Sequence, residues 1–155
     1  MILYIFLAVC FISNTAEGFC QDRWIQFGDS CYGLIEDDEG WAQAKYLCES
    51  RDTHLVTIES AAENDFVKSY ARKQAVVTDV WIGASDIWAE GIFRWVGSDT
   101  NVTFTDWNAG EPNGISDDEN CAELENSVDY LWNDDECTKQ QHFMCETRFL
   151  SVVVG

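Results

Sequence analysis

The sequence predicts an α+β fold, on three observations. Apolar residues recur at helical spacing twice in the first half of the chain. The second half breaks into short apolar runs separated by turns, which is the pattern of strands. A stretch from 111 to 137 is dense in carboxylates and carboxamides and contains the chain's only proline. Helices in one part, strands in another and a long inserted loop make an α+β arrangement. A loop of that length is more than a connector.

In chain order, residues 2–12 form an almost unbroken apolar run. It is short of the about 20 residues that a membrane-spanning helix needs. Ala16-Glu17-Gly18 offers small side chains where a leader is cleaved. Residues 1–18 therefore read as a signal peptide and 19–155 as one secreted domain, with no later run apolar and long enough to span a membrane. Residues 19–34 read as a hairpin about Gly28-Asp29-Ser30. In residues 40–51, Trp41, Ala44, Leu47 and Cys48 share one helical face. Residues 55–58 read as a strand. Ser60 and Glu63 form a capping box for a helix reaching about Lys73, with Phe66, Val67 and Tyr70 on its buried side. Short strands are expected at 80–84, 92–96, 122–124, 130–132 and 142–146. His54 and His142 lie beside apolar strands and read as structural. The sequon Asn101-Val102-Thr103 makes Asn101 a candidate glycan attachment site.

Removing Cys10 with the leader from the 7 cysteines leaves six. An even number in a small secreted domain implies a disulfide framework, whose connectivity the count leaves open. The net charge is −19, from 9 Lys+Arg against 28 Asp+Glu. Such a chain repels nucleic acid and anionic membranes. Clustered carboxylates cost energy unless a cation joins them, which is the physical reason to look for a metal.

The helix bearing Cys48, Trp81-Ile82-Gly83, Glu111-Pro112-Asn113, Cys121, Trp132-Asn133-Asp134, Cys137 and Cys145 stand in an order that resembles the C-type lectin domain family. The resemblance runs from about Cys20 to Cys145. It implies a C-type lectin-like fold: two helices and short antiparallel sheets around a long calcium-binding loop. It also implies the bridges Cys48–Cys145 and Cys121–Cys137, with Cys20–Cys31 as the extra bridge of the long form.

Calcium takes about 6–8 oxygen ligands. Glu111, Asn113, Glu119, Asn133 and Asp134 match the family positions whose side chains bind both calcium and sugar. The resemblance implies a cis Pro112 that turns its neighbours toward one ion. The Glu-Pro-Asn order goes with mannose-type sugars (mannose, N-acetylglucosamine, fucose), and Gln-Pro-Asp with galactose. Asn amides coordinate through oxygen and keep N–H donors for sugar hydroxyls. Asp86, Glu90 and Asn120 match an auxiliary calcium site, with Glu119 shared. Gly114 and Asn120 stand where the family often has Asp, and Asp117 and Asp118 lie close enough to compensate. An EF-hand fails for want of its glycine and terminal glutamate.

The leading expectation is therefore a secreted, calcium-dependent lectin for glycan recognition or innate defence. One shallow sugar site binds weakly, so useful avidity calls for non-covalent self-association. The alternative is a protein- or surface-binding module on the same fold in which calcium is structural. No enzyme is expected, because no activated nucleophile or tuned acid stands out.

Overall fold

The computed structural model describes residues 20–74, 78–114 and 118–149. The proposed leader, Asp117 and the apolar tail from 150 lie outside the described residues. Among the described residues no helix is long and apolar enough to cross a membrane.

β1 (Ile25–Phe27) and β2 (Ser30–Glu39) form the expected hairpin, and β2 continues beyond Leu34. α1 (Trp41–Glu49) buries Trp41, Ala44 and Cys48 along one face. β3 (His54–Leu55) is shorter than the apolar run predicted. Val56 and Ile58 stay buried, but neither lies within the strand. α2 (Ala61–Lys73) starts at Ser60, whose hydroxyl accepts from Glu63 N at 3.2 Å. The return bond of the expected box goes one residue further back, Glu59 N donating to Glu63 Oε2 at 2.8 Å.

β4 (Val80–Ser85) is buried along its whole length. β5 (Arg94–Trp95) and β6 (Thr100–Asn101) are two-residue strands, so the expected strand at 92–96 is cut short and Asn101 sits on an exposed edge. β7 (Cys121–Glu125), a 3-10 turn (Asn126–Val128), β8 (Leu131–Asp135) and β9 (Gln141–Arg148) follow. β8 runs past Trp132, which places Asn133 and Asp134 on a strand rather than in a loop.

The strands join in one sheet of order β1-β2-β9-β4-β5-β6, with β7 on β4 and β8 on β7. The expectation of short antiparallel sheets is corrected in one respect: β4 runs parallel to β9, through Val80↔His142 and Trp81↔Phe143. The C-terminal strand has inserted between β2 and β4. β4 is thus an interior strand, and a core packs on each of its faces, which explains its unbroken apolar run. Val80, Ile82 and Ala84 enter one core with Val67, Tyr70 and Ala71 of α2. Trp81 enters the other with Trp41, Ala44 and Cys48 of α1. At Gly83, β4 lies close against the backbone of Leu55 and Val56: an added Cβ would lie 2.7 Å from Leu55 O and 2.9 Å from Val56 O.

The bridges Cys20–Cys31, Cys48–Cys145 and Cys121–Cys137 are all formed. His54 is satisfied, its Nδ1 lying 2.9 Å from Leu55 O. His142 is not fully satisfied: Nε2 is 3.4 Å from Asp38, and Nδ1 is buried with no partner.

Candidate functional site

The site is built where the long loop docks on β8. Trp132 N donates to Asp106 O at 2.9 Å, and Asn108 N donates to Trp132 O at 2.8 Å. These bonds lay the loop alongside the strand. The Trp132 side chain is locked as well. Its indole N–H donates to Asn64 Oδ1 at 2.9 Å, and its ring stands edge-on to Trp95, Phe104 and Trp107. Asn64 Nδ2 and Lys68 Nζ both donate to Asp106 Oδ2, at 2.6 and 2.8 Å. A buried polar network thus ties α2, the loop and β8 into one frame. Asp134 follows Trp132 by two residues, so the frame fixes it too.

Asp134 is 2 % exposed. Its carboxylate accepts from Asn113 N through Oδ1 and from Gly114 N through Oδ2, each at 3.0 Å. The Glu111-Pro112 peptide is cis, as expected. Glu111 is held by its N–H, which donates to Asn108 O at 3.0 Å. Its Oε2 is buried with no hydrogen-bond partner. Burial pushes the Glu111 carboxyl above the usual glutamate range. A hydrogen bond to Asp134 and the charges of Asp134 and Glu119 add to the rise, while Asn113 opposes it. The structure therefore brings Glu111, Asn113, Glu119 and Asp134 together.

Asn133 is held from the side of β7. Its Nδ2 donates to Glu123 Oε1 at 2.9 Å, on the neighbouring strand β7. The sequence reading missed Glu123. Between Ala122 and Leu124 it reads as the solvent face of an amphipathic strand, yet it is 2 % exposed.

Asp86 is 3 % exposed. Its Oδ2 accepts from Gly91 N at 2.8 Å, and its Oδ1 is buried without a partner. Burial raises its carboxyl first, with the Asp134 charge contributing, so the auxiliary cluster adjoins the main one. Asp86 N donates to Asn120 O at 3.2 Å. Glu90 lies over Gly114, its Oε1 2.9 Å from where a Cβ would stand. Gly114, at φ +51, is thus more than a missing acid: its N–H serves Asp134 and its bare Cα admits Glu90. Among the described residues, no three acidic, histidine or cysteine side chains stand in ready-made ligand geometry. The acids adjoin one another without converging, as expected of like charges in a partly buried place.

The Lectin C-type domain model matches residues 37–147, and the chain belongs to the C-type lectin domain family. Perlucin of Haliotis laevigata is 35% identical over 130 residues, covering 83% of this chain and 80% of that protein. Two longer curated relatives are spanned over only 42% and 58% of their length. Among solved structures, the cow CD23 C-type carbohydrate-recognition domain, in the presence of a GlcNAc2Man3 oligosaccharide, superposes at TM-score 0.76. It has 33% identity, covering 86% of this chain and 98% of that one. A calcium-independent type II antifreeze protein superposes equally well, at TM-score 0.76 and 26% identity over 86% of this chain and 97% of that one. The family binds carbohydrates and is not enzymatic.

Proposed function

We propose that this chain is a secreted, calcium-dependent lectin for mannose-type sugars, acting in glycan recognition. The observation that carries the reading is Glu111 Oε2: a buried carboxylate oxygen with no partner, beside the charges of Asp134 and Glu119. Burying such an oxygen unpaired is costly, and a dication is the partner that removes the cost. The surrounding donors are all hard oxygens, the chemistry that suits calcium rather than a softer metal. Glu111, Asn113, Glu119, Asn133 and Asp134 would hold the ion. Asp86, Glu90 and Asn120 would frame an auxiliary one, with the orphaned Asp86 Oδ1 as the argument for it. The bound ion would supply positive charge to sugar hydroxyls, which the acids and amides then orient as acceptors and donors.

Mannose-type selectivity rests on the Glu-Pro-Asn order and on the oligosaccharide named for the CD23 domain. Exchanging acid and amide reverses donors and acceptors. The double variant Glu111→Gln with Asn113→Asp is therefore expected to bind calcium but to prefer galactose over mannose on a glycan panel. Retained mannose preference would refute this assignment of specificity.

The likeness to a calcium-independent antifreeze protein favours a second reading, a surface-binding module on the same fold. Here calcium would be structural or dispensable. Glycan binding measured with and without EDTA separates the two.

A further inference from the structure

Glu123 is a buried acid that the proposed calcium shell does not use. It lies on β7, opposite Asn133 of β8 on one side and Trp81 of β4 on the other. Its Oε1 accepts from Asn133 Nδ2 at 2.9 Å, and its Oε2 accepts from Gln141 Nε2 of β9. Gln141 is itself 3 % exposed. A polar chain Gln141–Glu123–Asn133 thus crosses the sheet from β9 to β8.

Both Glu123 oxygens accept here, whereas a carboxamide presents a donor end and an acceptor end that differ little in shape. Asn133 therefore offers its nitrogen to Glu123 Oε1, and its oxygen turns away. Gln141 makes the same choice at the other carboxylate oxygen, which holds Glu123 itself in place. We infer that Glu123, anchored by Gln141, is a positioning residue that locks the amide of Asn133 with its oxygen free for a divalent cation. The lock spends one of the two Asn133 N–H groups and leaves the second for a ligand hydroxyl. This rests on the proposed calcium site, and its test has one arm that does not depend on calcium.

The first arm is NMR of the chain in EDTA. The Asn133 side-chain amide, assigned by its loss in Asn133→Ala, is expected to show one downfield, slowly exchanging proton, and Glu123→Gln is expected to move it upfield. The second arm is calcium titration by calorimetry. Glu123→Gln keeps the volume but lets either amide end face Asn133. It is expected to weaken calcium binding by about tenfold or more, the usual effect of losing a partner that orients a metal ligand. An ordinary, exchangeable Asn133 amide in the wild type overturns the inference, as does calcium affinity in Glu123→Gln within about twofold of wild type. If Glu123→Gln fails to fold, the wild-type amide signal decides alone. If the wild type binds no calcium, the parent reading fails, and the amide signal still shows whether the lock exists.

Discussion

Single residues in this fold carry charge that burial makes costly, and Glu63 shows the consequence. Tyr32 donates to its Oε1 at 2.6 Å. Burial pushes its carboxyl above the usual range, the bonds from Tyr32 and Glu59 oppose the rise, and the Glu146 and Glu59 charges add to it. The folded chain thus holds the Glu63 proton more tightly than the unfolded chain does. Folding stability from this group is complete below the ordinary glutamate value and is lost as pH rises through the raised one. Melting temperatures in EDTA across about pH 4 to 7 are expected to fall more steeply for the wild type than for Glu63→Gln. Parallel profiles would contradict this. Glu123 behaves in the same sense but more strongly: burial pushes it up to about 8, against the bonds from Asn133 and Gln141. Glu63 is marked in the sequence by the capping box, but no local pattern announces that Glu123 is buried. A glutamate between two apolar strand residues reads as solvent-facing, and only the packing of β9 and β4 covers it.

Whole elements were legible in proportion to their own periodicity. α1 carries its buried stripe in its sequence and α2 part of it, Asn64 and Lys68 being the polar buried residues the period does not mark, and the apolar run of β4 is long enough to stand alone. β3 and β5 are two-residue pairings fixed by what lies beside them, so the neighbouring apolar residues misled the boundaries. The strand expected at 130–132 stops short of Asn133 and Asp134, which are poor strand formers, yet β8 runs on through them. Pairing with β7 and the anchored Trp132 override that propensity. The β3–β4 approach gives a sharp test. Gly83→Ala drives a methyl against two backbone carbonyls, so the strands must part. The expected cost is about 1–3 kcal/mol, the usual range for overpacking, read as a shift in the urea midpoint. A neutral substitution would show that β3 yields freely.

Across the described residues, three disulfides and one sheet bring β2 beside β9, and the long loop is held between α2 and β8. The bridges differ in the length of chain they close: 97 residues for Cys48–Cys145 against 11 for Cys20–Cys31. In chain-entropy terms the longer loop stabilises by about 2 kcal/mol more. Replacing Cys48 and Cys145 by alanine is therefore expected to lower stability further than replacing Cys20 and Cys31. Equal losses by denaturant titration would place the stabilisation elsewhere. Family membership was legible from residue order across the domain. The pairing of Asn133 with Glu123 and the reach of Glu90 over Gly114 depend on tertiary placement that the order does not encode.

The central claim is that the acids gathered around Glu111 and Asp134 form a calcium site whose open side binds sugar. The most direct test is binding of the intact chain to immobilised mannose-type glycans in calcium, in EDTA, and after calcium is restored. Binding in calcium, its loss in EDTA and its return with added calcium are predicted. Equal binding in EDTA, or no binding to any mannose-type glycan with calcium present, would contradict it.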